Sequence, residues 1–171
     1  MDALTTGVSD GMRLYFNIIF MLLVFTALVA LANVLLALLP DIHGAPLSAD
    51  RILGWLFAPI VWLAGIPWEE ATTAGALMGL KTALNEIYAY DQLAGLGDAL
   101  SPRSNLIMTY ALCGFANFAS VGILTGGLVA IAPSRREDIL NLAPKALISG
   151  TLATLMTGAA IGVFPMSLFG S

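Results

Sequence analysis

Four long stretches without a charged residue dominate the pattern of hydrophobic and polar positions along this chain. They cover residues 14–39, 52–68, 105–134 and 146–171, which are 26, 17, 30 and 26 residues long. About 20 residues of α-helix cross a hydrocarbon core of about 30 Å. The first and last stretches therefore predict membrane spans, which we place over residues 14–39 and 144–168.

The second stretch predicts a helix that does not cross the membrane. It is short for a crossing, and Pro59 interrupts it. Tryptophan favours the headgroup level, and three tryptophans lie in or at the end of this stretch. We predict an interfacial helix over residues 48–66, with Ser48 as its N-cap.

The third stretch is too long for one straight crossing, since 30 residues of continuous helix would reach about 45 Å. It is rich in glycine and also holds Asn117 and Ser120. Ser101 and Pro102 have the sequence of a cap followed by a first-turn proline. These features predict a broken span over residues 102–132, with an opened turn around residues 115–120.

Between the interfacial helix and the broken span, small residues are mixed with charged ones. Residues 68–92 contain a run of Ala, Thr and Gly, but also Lys81 and Glu86. A helix that faces lipid would not carry these charges. A helical hairpin that enters and leaves the membrane on the same side would, because small residues pack its arms and its polar tip faces a cavity. We predict such a re-entrant hairpin over residues 68–92.

A last set of signals separates the broken span from the final one. Ser134 and Glu137 have the spacing of a capping box, which predicts that a new helix starts there. Pro144 then predicts a second helix start, at the beginning of the final span.

Composition agrees with a membrane protein and excludes several other classes. The chain is 58% hydrophobic and 11% charged, whereas soluble domains carry about 25% charged residues. A net charge of −4 argues against nucleic acid as a partner. The single cysteine, Cys113, excludes an intrachain disulfide, and the single histidine, His43, makes no metal site. Without a nucleophile and base set, we expect neither an enzyme nor a bound cofactor.

Glu86 is the charged residue with the strongest claim to a function. An ionisable group in hydrocarbon costs about 3 kcal/mol or more, so it is either outside the bilayer or there for a purpose. One interpretation is a carboxylate in a protein-lined cavity that binds a polar solute or carries a proton. The other is a carboxylate in headgroup water, or one paired with Lys81 in a small oligomeric membrane scaffold that transports nothing.

Asn117 and Ser120 also have two interpretations. Each alone is compatible with polar contacts between membrane helices. The two residues are three positions apart, and Phe115 and several glycines accompany them. Together they are more typical of the broken-helix binding element of a transporter.

At this point the residues resemble a known family, the concentrative nucleoside transporters. GLKTALNEIYAY, residues 79–90, is similar to the family signature G-x-K-x-x-x-N-E-F-V-A-Y and departs from it at Ile87 and Tyr88. Three further stretches resemble the family in the same order. They are GWLFAPIVWLAGIPWEEA at 54–71, LSPRSNLIMTYALCGFANFASVGI at 100–123 and LVAIAPSRREDILNLAPKALISGTLATLMTGA at 128–159.

The resemblance implies an all-α polytopic membrane protein of a bacterial inner membrane, half of an inverted-repeat transporter with a re-entrant hairpin and a broken transmembrane helix. Residues 1–171 correspond to the C-terminal half, with 14–39 as the scaffold span. The family is trimeric and couples nucleoside symport to Na⁺ or H⁺ by alternating access. By resemblance, four residues bind the ribose side of the nucleoside: Glu86, Phe115, Asn117 and Ser120.

The resemblance also implies what this chain lacks. The first-half hairpin, which in the family reads the base and supplies most of the sodium site, has no counterpart in these residues. We therefore expect the chain to act as part of a longer transporter or with a partner chain, and not to transport alone.

Overall fold

The computed structural model describes residues 1–42 and 44–169 of the chain, so that His43 lies outside the described residues. Its α-helices, in chain order, are α1 (Asp2–Leu36), α2 (Ala49–Leu63), α3 (Trp68–Ala83), α4 (Glu86–Gly95), α5 (Pro102–Leu112), α6 (Phe118–Ile131) and α7 (Arg136–Val163). Short 3₁₀ turns at Gly97–Ala99, Pro133–Arg135 and Met166–Leu168 complete the described elements. The all-α fold class is as predicted.

Few of these helices could cross a membrane alone and unbroken. Among the described residues, one helical segment, Pro133–Val163, is long and apolar enough to do so. The pair α2 and α3 passes the same test only when taken together, and it is bent by 117°. α1 is a continuous helix of 35 residues that includes most of the predicted first span, and Phe118–Val129 is a shorter apolar segment of the predicted broken span. The two predicted elements with interrupted helices are therefore the hairpin, which is divided into α3 and α4, and the broken span, which is divided into α5 and α6.

The bend between α2 and α3 brings the two helices into very close contact. α2 begins at the predicted cap, where Ser48 Oγ accepts from the Arg51 backbone N–H at 3.3 Å. At the contact between the helices, a Cβ atom on Gly75 would lie 2.5 Å from the carbonyl oxygen of Gly54 and 2.8 Å from the nitrogen of Ala58. Only hydrogen atoms fit at these positions. The predicted interfacial helix and the first arm of the predicted hairpin thus pack as one unit.

A second close contact joins α5 to α7. α5 begins as predicted, with Ser101 as N-cap and Pro102 in the first turn. A Cβ on Gly158 would lie 2.7 Å from the Ile107 carbonyl oxygen. Arg103 Nε donates to the Gly162 carbonyl at 3.0 Å, and this carbonyl is one of those near the C-terminal end of α7 that lack a helical partner. α7 therefore supports the first half of the broken helix along its whole length.

The predicted start of the last helix is wrong. Pro144 lies inside α7, which begins at Arg136 instead. A proline removes one hydrogen bond of a helix but does not end it when well-formed turns flank it on both sides. The helix does end at Val163, short of the predicted residue 168, because Phe164 precedes Pro165 and adopts an extended conformation.

The predicted capping box is also absent from the described structure. Ser134 lies in the 3₁₀ turn before α7, and no side chain caps that helix. The first turn is stabilised instead by an ion pair in which Arg135 Nε lies 2.7 Å from Asp138 Oδ2. Glu137 adds a second negative charge near the positive helix end.

The tight contact between α2 and α3 gives a first prediction. We expect Gly75→Ala to destabilise the protein by about 1–3 kcal/mol, because the added methyl group overpacks the contact with Gly54 and Ala58. Gly126→Ala is the matched control, since a Cβ there meets nothing within 4 Å. The measurement is the midpoint of thermal unfolding in detergent. Equal midpoints for the two variants would contradict the close packing.

Candidate functional site

The site forms where two helix interruptions meet. α3 ends at Ala83 and α4 begins at Glu86, and the N-cap between them is Asn85, whose Oδ1 accepts from the Tyr88 backbone N–H at 3.0 Å. α5 ends at Leu112 and α6 begins at Phe118. Both new helices are thus capped by an asparagine, since Asn117 caps α6. A helix that stops inside a bundle needs such a cap for its free N–H groups.

A hydrogen bond joins the two interruptions. Asn117 Nδ2 donates to Glu86 Oε2 at 3.0 Å. Asn117 Oδ1 accepts from both the backbone N–H and the hydroxyl of Ser120, each at 2.7 Å. Asn117 is 1% exposed and Ser120 is 5% exposed, while Glu86 is partly buried. Three of the four predicted site residues therefore form one network.

The network fixes which hydrogen-bonding groups remain available to a ligand. Both contacts to Asn117 Oδ1 come from Ser120, so the amide can offer a ligand only the second proton of its NH₂ group. The Ser120 hydroxyl donates its proton to Asn117 Oδ1, so it can only accept from a ligand. Glu86 Oε1 has no partner in the network and accepts only, as an ionised carboxylate does. The groups that remain for a ligand are thus one donor on Asn117 and acceptors on Glu86 and Ser120.

Phe115 does not belong to this network. Its side chain is 67% exposed and lines a cavity of about 470 Å³ between α6 and α7, which Ser120 also borders. The interruption runs over residues 113–117 and not over the predicted 115–120. The reason is that Asn117 and not Ser120 caps α6, so that Ser120 already lies in the first helical turn.

Lys81 has a different partner from the one considered in the sequence. Its side chain is fully buried, and Nζ donates to Thr154 Oγ1 at 3.3 Å. In the described part of the chain, Lys81 forms no ion pair with Glu86. Thr154 is not among the residues predicted from the sequence. The available signal was the spacing of Thr151, Thr154 and Thr157 on one face of an apolar helix.

The described residues do not cluster as metal ligands, since they contain no group of three or more Asp, Glu, His or Cys side chains that could hold an ion. The arrangement is instead a pair of interrupted helices whose capped ends meet at a carboxylate and an amide. Polar groups at broken helices inside an apolar bundle define the class of broken-helix membrane transporters.

The family can be named from comparison with known sequences. The family described as Na⁺ dependent nucleoside transporter C-terminus matches residues 1–162. The chain belongs to this family, and the resemblance seen in its motifs is confirmed. It is accordingly an integral membrane protein, and its family is one of transporters and not of enzymes.

Individual relatives agree with this assignment. The chain is 42% identical over 165 residues to the uncharacterized transporter YutK of Bacillus subtilis, and 41% identical over 170 residues to the nucleoside permease NupC of Helicobacter pylori. Each match covers 96% of this chain and 41% of the relative. The chain thus spans about two-fifths of the length of these relatives.

Solved structures show the same fold. The structure of CNTnw in an inward-facing substrate-bound state matches with a TM-score of 0.85 and 38% identity, over 99% of this chain and 42% of that one. A doubly substituted CNTnw in an outward-facing state matches with a TM-score of 0.84 and 37% identity, again over 99% of this chain and 42% of that one.

Asn117 both caps α6 and donates to Glu86, and substitutions can separate these two functions. We expect Asn117→Ala to destabilise the protein by about 0.5–2 kcal/mol more than Asn117→Ser, because serine is a good N-cap and alanine is not. Both variants lose the contact with Glu86, so their difference isolates the cap. The measurement is thermal unfolding in detergent. Equal losses of stability would show that Asn117 does not act as the cap of α6.

Proposed function

We propose that this chain is the C-terminal part of a nucleoside symporter in a bacterial inner membrane. The relatives named above support the substrate, because one is a nucleoside permease, and a further relative, 35% identical over 181 residues, is the sodium/nucleoside cotransporter 1 of Rattus norvegicus. Similar TM-scores to inward- and outward-facing CNTnw support alternating access. The proposed coupling ion is Na⁺ or H⁺.

The proposal assigns the ribose side of the nucleoside to Glu86, Asn117 and Ser120, with Phe115 beside them. The observation that carries it is the hydrogen bond between Glu86 and Asn117, which brings the two helix interruptions together. A ribose hydroxyl can donate to the free carboxylate oxygen and accept from the free amide proton at the same time. Phe115 offers an exposed apolar face next to these polar groups.

The part of the transporter outside this chain also has a proposed role. The chain spans about two-fifths of its relatives, and we propose that the base and most of the coupling cation are bound by the N-terminal half of the protein. We also propose a homotrimer, in keeping with the family. The rival interpretation, a scaffold held by a pair between Lys81 and Glu86, has less support because Lys81 contacts Thr154 instead.

The role of Glu86 can be tested in a complete transporter. A chimera would carry this chain in place of the matching C-terminal part of the Helicobacter pylori permease. At uridine concentrations near the KM of the parent chimera, we expect Glu86→Gln to abolish saturable uptake and to leave membrane insertion intact, because the substitution removes a charged acceptor. Losing a hydrogen bond to a charged group weakens binding by about 10- to 100-fold.

Glu69→Gln is the matched control for this experiment. Glu69 is exposed, lies in the first turn of α3 and belongs to the same hairpin. The control variant should keep the uptake of the parent chimera. If Glu86→Gln transports uridine as well as Glu69→Gln does, the carboxylate does not bind the substrate.

The same site predicts a preference for intact ribose. We expect the concentration that halves uridine uptake to be at least about 10-fold higher for 3′-deoxyuridine than for unlabelled uridine. The reason is that a missing hydroxyl leaves buried polar groups without a partner. The competition assay on the parent chimera measures this ratio. Equal inhibition by the two compounds would contradict recognition of the sugar and leave recognition of the base possible.

A further inference from the structure

The buried ammonium of Lys81 is not used by the ribose site proposed above. Its side chain is 0% exposed. The hydrogen bond to Thr154 Oγ1, at 3.3 Å, is the one that it makes among the described residues. A buried charge is costly unless nearby charges or dipoles of the opposite sign compensate it. The negative charge around Lys81 therefore bears on the stability of this side chain.

Two sources of negative charge lie around this ammonium. Lys81 is in the last turn of α3, where carbonyl groups without helical partners carry partial negative charge. The Glu86 carboxylate, five residues further along the chain at the start of α4, is a second source of negative charge near it. Glu86 itself stands in the first turn of α4, where free N–H groups carry partial positive charge. Each charge thus lies near a helix end whose partial charge has the opposite sign.

Thr154 connects Lys81 to the interruption between α5 and α6. Its hydroxyl donates to the Thr151 carbonyl at 3.0 Å, which directs a lone pair at the ammonium. Its methyl group packs on Gly114, where a Cβ atom would clash with Thr154 Cγ2. Gly114 lies three residues before Asn117 in the same interruption. A shift of Thr154 would therefore be transmitted to the amide that contacts Glu86.

From these contacts we propose that Lys81 is a positioning residue of the nucleoside site. Through Thr154 it holds the interruption between α5 and α6 at its place opposite Glu86, and its charge balances that of the carboxylate. Lys81 does not itself contact the nucleoside. This proposal rests on the proposed function and adds to it a residue that acts on the site through Thr154.

Substitutions at Thr154 test the proposal with little change of shape. Thr154→Val keeps the packing against Gly114 but removes the acceptor for Lys81, and Thr154→Ser keeps the acceptor. In the permease chimera, we expect Thr154→Val to raise the KM for uridine about 2- to 10-fold, as the loss of one hydrogen bond implies. Thr154→Ser keeps the acceptor but loses the methyl group that packs on Gly114, so it should raise the KM less than Thr154→Val does. We expect Lys81→Met to raise KM about 10-fold or more, and Lys81→Arg less.

Thr157→Val is the matched control. Thr157 is exposed and lies about one turn further along α7, and its hydroxyl donates to the Ala153 carbonyl at 3.0 Å. A purely structural effect would lower the amount of transporter in the membrane and so Vmax, without changing KM. Uptake is therefore measured over a range of uridine concentrations and divided by the amount of inserted protein.

The outcomes separate this proposal from the proposed function. If Glu86→Gln is inactive but Thr154→Val and Lys81→Met have the KM of the Thr157→Val control, the positioning role is overturned and the nucleoside function stands. If the parent chimera shows no saturable uridine uptake, the function itself is overturned, and the positioning role with it. Should Lys81→Met fail to insert, the comparison of Thr154→Val with Thr154→Ser decides.

Discussion

The structure depends on one constraint, which is that a helix ending inside an apolar bundle must find partners for its free backbone groups. Water is not available there, and each unsatisfied group costs free energy. Asn85 and Asn117 meet this need at α4 and α6, each through its own side-chain oxygen. Because the Asn117 amide also reaches Glu86, the cap of one helix becomes part of the site formed with the other.

Close packing makes this arrangement possible. Two interruptions can share a hydrogen bond of 3.0 Å only if the helices that carry them are held in place. Gly75 allows α3 to lie against α2, and Gly158 allows α5 to lie against α7. Van der Waals contact, and not the hydrophobic effect, drives helix association in lipid, so small residues at these contacts contribute directly to the precision of the site.

Much of this could be predicted from the sequence, for identifiable reasons. Charge-free stretches and caps such as Ser48 and Ser101 are local signals, and the helices they predict are present. The polar residues Glu86 and Asn117 stood out because charges and amides are rare in such a chain. The helix across Pro144 was missed because a proline has the same appearance at a helix start and inside a long helix.

What the sequence could not provide was contact across long separations. Lys81 and Thr154 are 73 residues apart, and nothing local pairs them. Proximity in sequence suggested Glu86 instead, yet an Asn85 cap sets the direction of α4 and separates the two charges by a helix interruption. An ion pair between them would have consumed the carboxylate oxygen that the proposed site needs for a ligand. The contact of Lys81 with Thr154 leaves that oxygen available for a ligand.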